Sequence, residues 1–268
     1  MKKINLAALL AIVGAGVAAQ SAHADLSYTP GDLFIGFRNT AAGITQDYLV
    51  DIGQASLYTK NDGSSFTLSI GDTNSDLSAI FGSTWQTGGK TNWGVIGAEE
   101  SGDPLATLYV GKKEAVFGTF PTATGNTYLR DSTGNQSSYL GNEQSMRIDY
   151  TSGTATGNSA VGTFQQTSDT ASWAAFSQSP SFGEYAAFES AINGSTTAGH
   201  ALDLFTIAPD DATPGTQNPV YQGRFVISNT GTITYTSAGA VPEPSTLVAL
   251  AGGAALMGLI RRRRVAVA

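Results

Sequence analysis

Leu33-Phe34-Ile35-Gly36-Phe37, Tyr48-Leu49-Val50-Asp51-Ile52 and Phe66-Thr67-Leu68-Ser69-Ile70 decide the fold. The first two runs are short and almost wholly apolar. The third alternates apolar and polar residues, the period of a strand with one wet face. Lys60-Asn61-Asp62-Gly63 supplies a turn between the second and third. Further short runs lie at 95–97, 107–110, 115–120, 146–150, 160–165, 202–207, 223–228 and 232–236, with Asn229-Thr230-Gly231 as another turn. Many short strands with frequent turns predict a mainly β chain, an antiparallel β-sandwich or jelly roll with short helices.

Two segments break the β pattern. Asp76-Leu77-Ser78-Ala79-Ile80-Phe81 reads as a short helix capped near Ser75 or Asp76. Residues 168–192 read as one or two helices divided at Pro180, with Trp173, Phe176, Tyr185, Phe188 and Ile192 at helical spacings. That stripe suits core packing, or alternatively a platform on which carbohydrate stacks.

The two ends differ from this body. Lys2 and Lys3 precede an apolar run, and Ala22-His23-Ala24 has the small-x-small form of a cleavage site. Residues 1–24 therefore read as a secretion signal, with cleavage expected after Ala24. Residues 246–260 form an uncharged run of 15. As a helix it spans about 22 Å, short of a hydrocarbon core of about 30 Å. Arginine side chains can extend that reach by snorkelling. Arg261, Arg262, Arg263 and Arg264 follow and should stay cytoplasmic, leaving the body outside. Pro242-Glu243-Pro244 holds the preceding backbone extended and non-helical, as a processing enzyme requires. The expected organisation is signal 1–24, exported β-rich body 25–241 and tail 242–268.

Pro242-Glu243-Pro244-Ser245-Thr246, a short apolar segment and a terminal arginine cluster together resemble a PEP-CTERM sorting signal. The resemblance implies recognition of Pro242, Glu243 and Pro244 by a membrane-embedded exosortase. It implies passage through the inner membrane with transient anchoring, then delivery to the cell surface or beyond. Such proteins occur in Gram-negative bacteria that make exopolysaccharide, which implies exopolysaccharide or biofilm as the setting. Residues 31–38 with 48–53, and 75–85 with 92–97, also resemble exported passengers of this kind, for which no defined activity is implied.

Charge and composition narrow the chemistry. Between 25 and 241 there are 8 Lys and Arg against 20 Asp and Glu, a net charge of −12. Such a surface repels phosphate backbones and argues against nucleic acid. The chain has no cysteine, which excludes disulfides, zinc thiolates and cysteine nucleophiles. Beyond the signal the one histidine is His200, read here as a surface residue, and no G-x-S-x-G elbow accompanies it. No glycine-rich phosphate loop is present, and no cofactor is expected. Asp72, Asn74 and Asp76 have the alternate spacing of a calcium loop, but Leu77 and Ser83 stand where such a loop needs glycine and glutamate. They read equally as a polar turn capping the next helix. Glu99, Glu100 and Asp103, and Asp210 with Asp211, are carboxylate groups that a glycosidase could use, or solvated loop charges. Trp85, Trp93, Tyr109, Tyr128 and Tyr139 could stack on sugar rings, or fill a β core.

The reading that follows is a non-enzymatic exported surface or matrix protein. A lectin-like carbohydrate-binding module and a secreted hydrolase are the alternatives.

Overall fold

The apolar runs become strands of one antiparallel sheet. The computed structural model describes residues 26–99, 106–113, 128, 131–153, 155, 158–179, 188–193, 200–215 and 219–239. The expected signal and membrane helices, Pro180, Tyr185 and the run 115–120 lie outside these. The strands are β1 (Asp32–Asn39), β2 (Gln46–Gln54), β3 (Ser65–Thr67), β4 (Thr91–Ala98), β5 (Leu108–Lys113), β6 (Gly162–Gln166), β7 (Glu189–Ile192), β8 (Ala201–Ile207), β9 (Val220–Ile227) and β10 (Ile233–Ser237). The helices are α1 (Thr73–Phe81), α2 (Thr133–Ser152) and α3 (Trp173–Ser177).

The order across the sheet is β3-β10-β9-β8-β5-β4-β1-β2-β6, with β7 paired to the start of β4. The pattern allows two stacked sheets, but here the hydrogen-bonded ladder runs unbroken from β3 to β6. The sheet instead curls on itself. Bulges at Leu33/Phe34 and Leu204/Phe205 increase the local twist. As a result β1, β2 and β4 share one inner core with β8, β9 and β10, through residues such as Ile35, Val50, Val95, Leu204, Phe225 and Tyr235. A second core covers the outer face, where Phe34, Leu49, Ile96 and Val110 meet Met146 and Tyr150 of α2 and Trp173 of α3. Because central strands are covered on both sides, they read as continuous apolar runs and not as alternation.

Three elements depart from the sequence reading. Residues 146–150, expected as a strand, form the last turns of α2. Ser132 caps that helix by accepting from Asn135 N–H at 3.3 Å. Helical spacing buries Glu143, Met146, Arg147 and Tyr150 together and leaves Ile148 64% exposed, whereas a strand would have put 146, 148 and 150 on one face. Residues 189–192, expected as helix, pair with β4. Asp72, and not Ser75 or Asp76, caps α1.

Trp173 fixes the outer layer. It lies over Gly36 of β1 and Gly94 of β4, which are opposite each other in the ladder. A β-carbon on Gly36 would fall 1.8 Å from the indole. The two glycines thus form a shallow bed that only a missing side chain can provide. The indole N–H donates to Glu189 at 2.9 Å, and Glu189 also accepts from Arg38 Nε at 2.8 Å. Gly36→Ala should therefore lower unfolding stability by about 3 kcal/mol. Gly134→Ala, in α2 with open space around it, should raise stability by about 0.5 kcal/mol. Urea unfolding of both variants checks the contrast.

Candidate functional site

The bulge between β1 and β2 builds a cleft. Gly53 sits at φ +84 there, and its N–H donates to Asp51 Oδ1 at 2.7 Å. Asp32 accepts from Thr29 N–H at 2.6 Å and from the Gln54 side-chain amide. These bonds set Asp51 beside Asp32 at one end of the β1–β2 ladder. The 3₁₀ turn of residues 55–57 then brings Leu57 and Tyr58 across, and β3 with its continuation to Ile70 forms the facing wall. The open cleft has a volume of about 510 Å³. Leu57 and Phe66 stand at its rim, 45% and 37% exposed. Tyr58 packs at a tilt on Phe66 and edgewise on Tyr235, and donates its hydroxyl to Ile52 O at 2.6 Å.

Burial pushes the Asp51 carboxyl up to about 7; the Gly53 amide opposes this, and Asp32 adds to it by like charge and a shared hydrogen bond. Below neutral pH Asp51 therefore carries a proton beside Asp32. The pair then offers one donor and several acceptors beside an exposed ring, a set suited to hydroxyl-bearing ligands. Such a carboxyl pair is also the raw material of acid–base chemistry. Asp47, on the outer layer, is raised to about 7 by burial, against the opposing pull of the Ala174 N–H that donates to it at 2.7 Å.

Near the cleft, α1 closes the curl. Asp76 is buried and accepts from the Tyr48 hydroxyl of β2 and from Asn158 N–H, both at 2.8 Å. Asn158 leads toward β6, and α1 follows β3, so this carboxylate ties the two edges of the sheet. Gly71, at φ +88, lets the two chains touch, since a β-carbon would meet Asn158 O at 2.5 Å. Of the suggested calcium set, Asp72 caps α1, Asn74 accepts from the Trp85 indole at 3.0 Å, and Asp76 makes the tie. Their oxygens serve three different partners.

Other singled-out residues are placed as follows. Trp85, Trp93, Trp173 and Tyr128 are buried, as are Phe176, Phe188 and Ile192. Tyr109 and Tyr139 are half-buried against the cores. His200 is buried and not at the surface; its Nδ1 lies 3.0 Å from Ile227 O. Asp210 closes its own turn onto Thr213, while Asp211 accepts from Thr133 N–H and hydroxyl at the start of α2. Glu100 and Asp103 lie outside the described residues, as do Ala22, Ala24, Pro242, Glu243, Pro244 and Arg261 to Arg264. Asp32 and Asp51 were not singled out from the sequence. The available signal is Asp51 itself, a lone carboxylate inside the apolar run 48–52.

Residues 240–264 match the family model of the PEP-CTERM protein-sorting motif. No curated protein and no solved structure matches the chain.

Two predictions follow from these carboxyls. Asp76→Ala leaves the buried Tyr48 hydroxyl and the part-buried Asn158 N–H without this acceptor and should cost about 2 kcal/mol, read as a shift in the urea midpoint. Asp47 and Asp51 bind a proton more tightly folded than unfolded. Their contribution is complete below the ordinary value of 3.8 and is lost as pH rises through about 7. Asp62, held down to about 2 by Ser64, titrates below that window. Melting temperature should thus be several degrees higher at about pH 5 than at about pH 8, and Asp47→Asn with Asp51→Asn should flatten that slope.

Proposed function

Because its tail is a PEP-CTERM sorting motif, we propose that this chain is an exported exosortase substrate whose body works at or beyond the cell surface without catalysing a reaction. The match at residues 240–264 carries this reading. In it, cleavage after Ala24 releases the body 25–241, and Pro242, Glu243 and Pro244 present the processing point. Residues 246–260 anchor the chain transiently in the inner membrane, with Arg261 to Arg264 on the cytoplasmic side. The setting is an exopolysaccharide matrix or biofilm, which suits a soluble body of net charge −12.

A lectin-like role is the second reading, and the cleft is the observation that favours it. Its carriers are Phe66, Tyr58, Asp32 and Asp51 in place of Trp85, Trp93 and Tyr128, which are buried. Phe66 offers an exposed ring face, and the carboxyl pair offers both donor and acceptor for sugar hydroxyls.

Replacing Pro242, Glu243 and Pro244 by alanine should leave a full-length species in the membrane fraction. Intact-mass measurement after cell fractionation reads this directly. Unchanged mass and unchanged surface delivery would refute the sorting reading. A glycan array with the exported form separates the two roles: saturable binding abolished by Phe66→Ala supports the lectin.

A further inference from the structure

The last described residues are held to the sheet at a defined point. Ser237 N–H donates to Ser64 O at 2.9 Å, Ala238 N–H to Gln222 O at 2.8 Å, and Gly63 N–H to Ala238 O at 3.1 Å. The Ser237 hydroxyl also donates to Asp62 at 2.8 Å. The backbone is thus held in the sheet through Ala238, beside the turn at residues 60–63. Covalent geometry limits what comes next. Pro242 is three residues beyond Gly239, so their Cα atoms are at most about 11 Å apart. Thr246, where the apolar run begins, is at most roughly 25 Å from the same point. While the tail is anchored, this end of the fold cannot stand far from the bilayer.

The surface at this end combines exposed apolar side chains with a basic one. Residues 60–67 are exposed without interruption. Leu57 and Phe66 are two of four exposed large apolar side chains among the described residues, and both flank this turn. Lys60 lies between them in sequence, one of 8 basic residues in a body carrying 20 acidic ones. Apolar and aromatic side chains with a lysine at their margin suit the headgroup boundary of a membrane.

We propose that the face formed by Leu57, Lys60 and Phe66 lies against the outer leaflet of the inner membrane while the tail is anchored, and that the short tether after Gly239 holds it there. This rests on the sorting reading of the tail. It gives the body a fixed orientation during processing. The β9–β10 turn at Asn229 then points away from the bilayer, because β10 runs from that turn toward the exit.

The native chain has no cysteine, so single probes can be placed cleanly. Lys60→Cys and Asn229→Cys, each labelled with bimane in the full-length chain, are reconstituted in vesicles of phosphatidylethanolamine and phosphatidylglycerol. Some of the lipid carries a nitroxide at the headgroup. Quenching should be several-fold stronger at position 60 than at 229. A flexible Gly-Ser insert of about 20 residues after Gly239 should abolish the difference. Leu57→Ser, at a rim side chain 45% exposed, should reduce it while melting temperature holds. Equal quenching at both positions overturns the proposal. A difference that survives the insert overturns the tether as its cause. A difference seen only with co-reconstituted exosortase assigns the face to a protein partner and overturns the membrane. The mass of the alanine variant at 242–244 reports separately on sorting, so either reading can fail alone.

Discussion

A buried carboxylate closes this fold. Asp76 receives the Tyr48 hydroxyl from one part of the curled sheet and Asn158 N–H from the approach to its far edge. A long antiparallel ladder has two open edges, and twist alone does not join them. Here α1 spans the gap, with Leu77 and Phe81 in the inner core and Asp76 as the polar tie. The inner core depends on that closure, since Tyr48, Val50, Leu204 and Tyr235 share one apolar interior only when the sheet is curled. Charge-assisted hydrogen bonds away from water are strong and directional, which suits a contact that must set the position of a helix.

The outer layer follows a different logic, one of fitted surfaces. Gly36 and Gly94 leave a bed for the Trp173 ring, and Glu189 links the indole to Arg38. α3 has only five residues and cannot be stable alone. Its place comes from the ring below it, from Gln165 at the Trp173 amide and from Asp47 at the Ala174 amide. Burial raises the Asp47 carboxyl to about 7, so it gains its proton well above the ordinary carboxylate range. The same balance governs Asp51 in the cleft. The body thus carries its acidic residues in two ways: Asp62, Asp72, Asp169 and Asp211 face water, while Asp47 and Asp51 are buried and hydrogen-bonded to backbone amides.

The cleft and the exit point lie on neighbouring parts of the molecule. Phe66 lines the first and stands opposite Tyr235, two residues before Ser237, where β10 ends. A ligand held in the cleft and a bilayer held near the exit would therefore compete for the same rim while the tail is anchored. Release of the tail would free that rim. On that reading, anchoring of the tail and opening of the cleft are linked.

The sequence by itself determined the sorting motif and the mainly β class of structure. A sorting tail is a linear signal, so Pro242-Glu243-Pro244, the apolar run and the arginines can be read without a fold, and the family match agrees. Strands such as 33–37, 48–52 and 202–207 were legible because burial of a strand needs only a local apolar run. Met146-Arg147-Ile148-Asp149-Tyr150 misled because its apolar residues fit both period 2 and the i, i+4 pair 146 and 150. Only packing against the outer face decided for helix and left Ile148 outside. Residues 189–192 likewise became a strand because the start of β4 had an open edge to fill. Tertiary structure alone decided that one sheet would curl in place of two sheets stacking, and that Trp85 and Trp93 would be core. It also brought Asp32 beside Asp51, 19 positions away in the chain. These are relations between distant residues, fixed by register, bulges and a bridging helix, and no local pattern encodes them.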